Sequence, residues 1–113
     1  MVSVESLREY GADPDEGILR CAGKEDLYLM LVSRVQEEEA FTQLGSCIDS
    51  GDLKTAFELA HKLKGALANL SLTPMLTPIV RITESLRVGE ARDYSEDLKE
   101  LEEAKKRFDS LFG

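Results

Sequence analysis

Between Asp52 and Ser71, apolar residues recur every three or four positions: Leu53, Ala56, Phe57, Ala60, Leu63, Leu67 and Leu70. At ~100° per residue these positions line one stripe of an α-helix, whereas a strand would scatter them over both faces. A helix with one such stripe must bury it against other helices. The flanking sequence supplies them. A long helix is expected from Glu25 to about Asp49, with Leu27, Leu31, Val35, Phe41, Leu44 and Ile48 inward and the solvated run Glu37-Glu38-Glu39 interrupting it. Ser50-Gly51 breaks that helix, and Asp52 suits the N-cap of the next, spanning Leu53 to Leu70. So short a link demands antiparallel neighbours.

Thr73-Pro74 and Thr77-Pro78 each resemble an N-cap followed by proline at the first helical position. A third helix therefore starts at one of them, or starts at the first and bends at Pro78. Met75, Ile79, Ile82 and Leu86 carry its stripe, and Gly89 ends it. Asp93 and Glu96 have the spacing of a capping box for a fourth helix, in which Tyr94, Leu98, Leu101, Phe108 and Phe112 face inward. Before these, residues 1–23 hold Gly11-Ala12-Asp13-Pro14 and Glu16-Gly17, with only short apolar sets, Val4/Leu7 and Ile18/Leu19. Two brief helical segments suit them. The expected fold is all-α: one domain over residues 1–113, an antiparallel four-helix bundle over 24–112 with a short N-terminal helical cap over 1–23.

Fourteen Lys and Arg against 22 Asp and Glu leave a net charge of −8. A nucleic-acid backbone or an anionic membrane would repel such a chain. No apolar run approaches the ~18 residues of a membrane span. Residues Met1 to Tyr10 lack the basic start and apolar block of a secretory signal, so a cytoplasmic protein is expected. Cys21 and Cys47 then read as two reduced thiols, and with one histidine they are too few for a zinc site. No phosphate-cradling GxxxxGK[ST] or GxGxxG occurs, so neither a nucleotide nor any other cofactor is expected. No base, orienting group and oxyanion hole for nucleophilic hydrolysis can be picked out. Acidic residues are spread over solvated helix faces, and the inward positions are almost all apolar. That speaks against an enzyme built on a carboxylate pair.

His61 is the chain's only histidine. It falls ~120° from the middle of its helix's stripe and should point outward or sideways. For a lone histidine on a helix, a solvated or structural role is the ordinary account. The company it keeps argues otherwise. A neutral imidazole can attack an activated phosphorus in line, and needs from its own protein little beyond positioning and charge. Lys64, one turn on, can neutralise phosphoryl oxygens. Gly65 costs the helix ~1 kcal/mol relative to alanine, which access for a partner would explain. Ala66 and Ala68 keep the surroundings low. Glu58 and Lys62 have the spacing of a surface ion pair.

His61-Lys62-Leu63-Lys64-Gly65, with Ala60 before it and Ala68-Asn69-Leu70 after it, resembles the His-x-Leu-Lys-Gly core of histidine-containing phosphotransfer (HPt) domains of two-component phosphorelays. The Gly51-Asp52 turn and the order of one long helix before and two after are similar, and the resemblance runs from about Leu27 to Phe112. It implies a relay. His61 would take a phosphoryl group from a receiver-domain phosphoaspartate and pass it to another receiver's aspartate, with Lys64 stabilising charge and Gly65 giving access. The implied partners are response-regulator receiver domains, a hybrid sensor histidine kinase, or both. The implied state is a monomeric carrier without kinase activity of its own. Leu7, Ile18 and Leu19 of the terminal cap, with Ala68, are the candidate docking residues.

Two positions depart from the family pattern. Ser71 stands where glycine is usual, and Thr83 where a glutamine often bonds the imidazole. Arg87, one turn after Thr83, could serve the phosphoryl group instead, or be an ordinary last-turn arginine favoured by the helix dipole. The Met1 start and the end at Gly113 suggest a free-standing carrier. The competing functional reading is a non-catalytic helical module that docks receivers or other helices through an apolar patch. Such a module would tolerate loss of His61 but not of Leu7, Ile18 or Leu19.

Overall fold

The computed structural model describes residues 2–113; Met1, the first residue of the expected cap and the start on which the free-standing reading leans, lies outside the described residues. Seven α-helices follow one another among the described residues: α1 Val4–Tyr10, α2 Pro14–Arg20, α3 Glu25–Gln36, α4 Ala40–Asp49, α5 Leu53–Asn69, α6 Thr73–Arg87 and α7 Ser95–Asp109. A single 3-10 turn, Ser110–Phe112, closes the chain. No strand occurs among these residues, and none of the helices is long and apolar enough to cross a membrane. The fold is the expected helical bundle, with α5 at its centre packed against α4 and α6, and α6 against α7.

The first bundle member is two helices rather than one. Three adjacent carboxylates crowd like charge onto one turn, and the backbone breaks there. The amides of Glu37 and Glu38 close short bonds to the carbonyls of Arg34 and Val35, and the Glu39 carbonyl opens α4 by accepting from Thr42 and Gln43. Cations hold the break on either side. Lys105 donates to the Gln36 carbonyl at the end of α3 (3.0 Å), and Glu38 pairs with Lys62 (2.7 Å). Lys62 thus reaches the break, not Glu58 as its spacing suggested.

The first turns of α3 also differ from expectation by one position, while Val35 is buried as expected. Leu27 is at the surface (36 % exposed), while Tyr28, Val32 and Val35 are buried. Tyr28 takes the interior place because its hydroxyl has a partner there, donating to the Leu70 carbonyl at the end of α5 (2.9 Å). A buried phenol with that bond satisfied keeps its apolar contact without an orphaned polar group.

Helix α5 begins as expected, with the Asp52 carboxylate accepting from the Thr55 amide (3.2 Å). Its buried residues Ala56, Ala60, Leu63 and Leu67 share one core with Met75, Ile79, Ile82 and Leu86 of α6. Helix α6 starts at Thr73, capped by Leu72 without a side-chain bond, and continues through a buried Pro78. At α7 no capping box forms between Asp93 and Glu96. The Asp93 carboxylate instead accepts from the Ser95 amide (2.9 Å) and the Ser95 hydroxyl, an Asx-type turn that precedes the helix. Phe112, expected on α7, lies in the 3-10 turn and packs edge-on against the buried Phe108.

The two terminal helices form as short segments, and they are tied down at both ends. Tyr10 donates to the Ala104 carbonyl of α7 (2.8 Å). Gly17 of α2 lets that helix lie directly on Tyr28: a Cβ built there collides with the Tyr28 ring and comes within 2.9 Å of the Leu70 carbonyl oxygen. Leu7 is fully buried in the core, so it holds α1 in place and offers a partner nothing, contrary to its expected docking role.

Overpacking of this kind costs typically 1–3 kcal/mol. Gly17→Ala should therefore lower unfolding stability by about 2 kcal/mol, read as a lower urea midpoint at unchanged slope. A second outcome concerns alkaline pH. Burial, with the nearby Cys21 and Asp13 charges adding, pushes the Tyr28 hydroxyl from 10.0 up to about 12, and burial raises Tyr10 as well. The folded chain thus holds these protons after the unfolded chain has released them. Their contribution is complete below pH ~10 and is lost as pH rises through about 12. Urea midpoints should stay level with respect to these groups up to pH ~10 and fall above it, with a smaller fall in Tyr28→Phe.

Candidate functional site

Because α5 buries Ala60 and Leu63, the residue between them on the opposite side, His61, is exposed. One turn earlier on the same helix lies Phe57, its ring centroid 5.8 Å from that of the imidazole and tilted by 40°. Arg87 reaches across from α6 and sets its guanidinium 5.3 Å from the Phe57 ring centre, a cation–π distance. One turn after His61 comes Lys64, half-buried, its stem against the helix seam. Its ammonium stands 3.5 Å from one carboxylate oxygen of Glu84, and Arg87 Nε donates to the other (3.1 Å). Imidazole, Phe57, Arg87, Glu84 and Lys64 therefore form one continuous face across α5 and α6. The Arg87 hydrogen bond and charge, helped by Lys64, hold the Glu84 carboxyl below the usual carboxylate range.

Gly65 is exposed, and a Cβ built on it meets nothing within 4 Å. The fold itself makes no use of a glycine there. Ala66 is exposed and Ala68 half-buried, so the surface beyond the imidazole is low.

Thr83 does not belong to this face. It is fully buried, and its hydroxyl donates to the Ile79 carbonyl of its own helix (2.6 Å). Its short side chain is committed to the core, and no phosphoryl group on the surface can reach it. Arg87, with Glu84, lies on the histidine side of α6.

The end of α5 shows how the chain manages without glycine. Ser71 adopts the left-handed conformation, φ +55°. Its amide donates to the Ala68 carbonyl and that of Leu72 to the Leu67 carbonyl, the paired bonds of a Schellman cap. Arg20 of α2 holds it there, donating to the Ser71 hydroxyl (2.7 Å) and the Ala68 carbonyl (2.8 Å). The same arginine pairs with Glu16. Of the remaining docking candidates, Leu19 is 75 % exposed, while Ile18 is half-buried against the core. A groove between α3 and α5, lined by Leu31, Val35, Leu63 and Leu67 with Arg34 and Lys62 beside them, flanks the histidine face. No cluster of metal-ligating side chains occurs among the described residues.

Sequence reasoning missed Glu84. Its i,i+3 spacing to Arg87 was visible as a helix pair, but its reach to Lys64 depends on how α5 and α6 pack. Phe57 was assigned wholly to the core, and its half-exposed position beside the imidazole likewise needs the three-dimensional arrangement.

The family model for the Hpt domain matches residues 29–110. No curated protein and no solved structure matches the chain. With most of its length covered, including all of α4 to α6, the chain belongs to the Hpt domain family, the phosphotransfer domains of two-component phosphorelays. Hpt domains interact there with receiver domains and kinases.

Since no packing depends on Gly65, Gly65→Ala should fold normally. It should raise thermal stability by about 0.5–1 kcal/mol through helix propensity alone.

Proposed function

We propose that His61 is the phosphoryl-accepting residue, taking the group from a receiver phosphoaspartate and delivering it to a second receiver's aspartate. The observation that carries this reading is the exposed, only histidine of an Hpt-family chain, flanked one turn on by Lys64 and by the open surface at Gly65. In the accepting step a neutral imidazole nitrogen forms the N–P bond while the acyl-phosphate P–O bond breaks. Its electron pair returns to the receiver's carboxylate. The other ring N–H then gives its proton to solvent, leaving a phosphoimidazole with a neutral ring and charged phosphoryl oxygens, and delivery is the reverse at another aspartate.

Each residue of the face has a part that its position suits. Phe57 supports one side of the imidazole and carries the Arg87 guanidinium against its own ring. Lys64 is within one turn of the ring and can meet phosphoryl oxygens with charge. Phosphoryl transfer asks for little more than such positioning and neutralisation, so the rest of the active centre can come with the receiver. Leu19, Ile18, Ala68 and the groove beside α3 are surfaces on which that receiver could dock. The chain acts on this reading as a carrier between receivers.

Incubation with a phosphorylated receiver should place an acid-labile, alkali-stable label on the chain. His61→Gln should abolish it, and a label that survives the substitution would falsify the assignment. Lys64→Ala should keep the fold and slow transfer at least tenfold, given the 2–4 kcal/mol that charge-stabilising groups commonly contribute. Gly65→Gln should also slow transfer, through crowding of the approaching receiver, while circular dichroism remains unchanged.

A further inference from the structure

Lys64 and Arg87 are not idle while His61 carries nothing. Both are engaged by one carboxylate, with the Lys64 ammonium 3.5 Å from Glu84 Oε1 and Arg87 Nε 3.1 Å from Glu84 Oε2. The cations come from different helices, Lys64 from α5 and Arg87 from α6, and Glu84 is the side chain that spans them. A phosphoryl group arriving at His61 brings charged oxygens of the same kind, and it requires the same cations. The two anions compete.

Resting on the assignment of His61 as acceptor, we infer that Glu84 is a competing counter-ion. It holds Lys64 and Arg87 before phosphorylation and is exchanged for the phosphoryl oxygens when the group arrives. Two consequences follow from the geometry. In the unphosphorylated state Glu84 occupies both cations, which must be freed before they can meet an incoming phosphoryl group. In the phosphorylated state Glu84 is left without them, close to a group of like charge, so the phosphoimidazole is kept reactive toward the next acceptor. The face is exposed, with Glu84 54 % and Arg87 46 % accessible at their side chains, so the exchange meets a modest barrier and is weakened by salt.

Phosphoramidate tests this without any receiver. It is a small anionic donor whose phosphorus the imidazole attacks; the P–N bond breaks, ammonia leaves with a proton, and the ring N–H proton goes to solvent. Appearance of phosphohistidine is followed by phosphorus NMR at low ionic strength for the full chain. Glu84→Gln should raise the initial rate about threefold or more, as expected when two exposed ion pairs no longer hold the cations. Glu84→Asp, which keeps the charge but is one methylene too short to span both cations, should follow Glu84→Gln rather than the unaltered chain. In a Lys64→Ala/Arg87→Ala background, Glu84→Gln should no longer accelerate the reaction.

Three results overturn the inference while leaving His61 as acceptor: no acceleration in Glu84→Gln, Glu84→Asp behaving as the unaltered chain, or acceleration that persists without the two cations. The last two would make Glu84 a bare repelling charge. If the unaltered chain forms no phosphohistidine, or His61→Gln forms as much, the assignment of His61 fails first and the exchange with it. Thermal midpoints check that each variant remains folded. Glu84 is exposed, so they should stay within a few degrees.

Discussion

Everything distinctive about this chain depends on the burial of one helical seam. Ala56, Ala60, Leu63 and Leu67 are removed from water between α4 and α6. At roughly 25 cal/mol per Å² of apolar surface, that burial outweighs any local preference of α5 for another rotation about its axis. Rotation by one residue would take leucine out of the core and put a lysine or the imidazole into it. The outward direction of His61 is thus a by-product of the core. The same packing brings α6 alongside, and with it Arg87 and Glu84.

The small residues of that seam set its closeness. Ala56 and Ala60 allow α5 to approach its neighbours without long side chains between, while Leu63 and Leu67 fill the space further along. At the far end the seam finishes in a concentration of polar contacts. Tyr28, Arg20 and the Asp13 amide all reach the turn at Leu70 and Ser71, each from a different part of the N-terminal region. Buried carbonyls at a helix end need such partners, and here tertiary contacts provide what local sequence does not.

Much of this was legible from periodicity. The stripe of α5, the stripe of α6 and the Asp52 cap were found where spacing put them, because apolar repeats of three and four survive almost any detail of packing. The outward imidazole followed from the same arithmetic. What could not be read was whatever depends on two segments at once. Leu27 and Tyr28 are equally good inward residues on a helical wheel, and only the Leu70 carbonyl across the bundle decides between them. Leu7 reads as a surface anchor only when the cap is considered apart from the core it closes. Thr83 was aligned with an imidazole partner, yet its rotation on α6 turns it into the core. The Glu37-Glu38-Glu39 run was recognised as solvated, but its power to divide a helix was underestimated; a solvated turn inside a long helix is tolerated, while three adjacent like charges favour leaving it.

The Schellman turn at Ser71 carries a consequence for how sequences like this one vary. Where glycine stands at such a position, the left-handed backbone is nearly free of cost and the rest of the chain is indifferent to it. Here a serine occupies it, and the arginine that secures its hydroxyl lies fifty-one positions earlier. The two sites have become interdependent: what is permitted at 71 is set by what stands at 20, and the reverse. Change in the N-terminal cap is thereby coupled to the helix that bears the histidine. With glycine at 71, position 20 would be released from that one constraint.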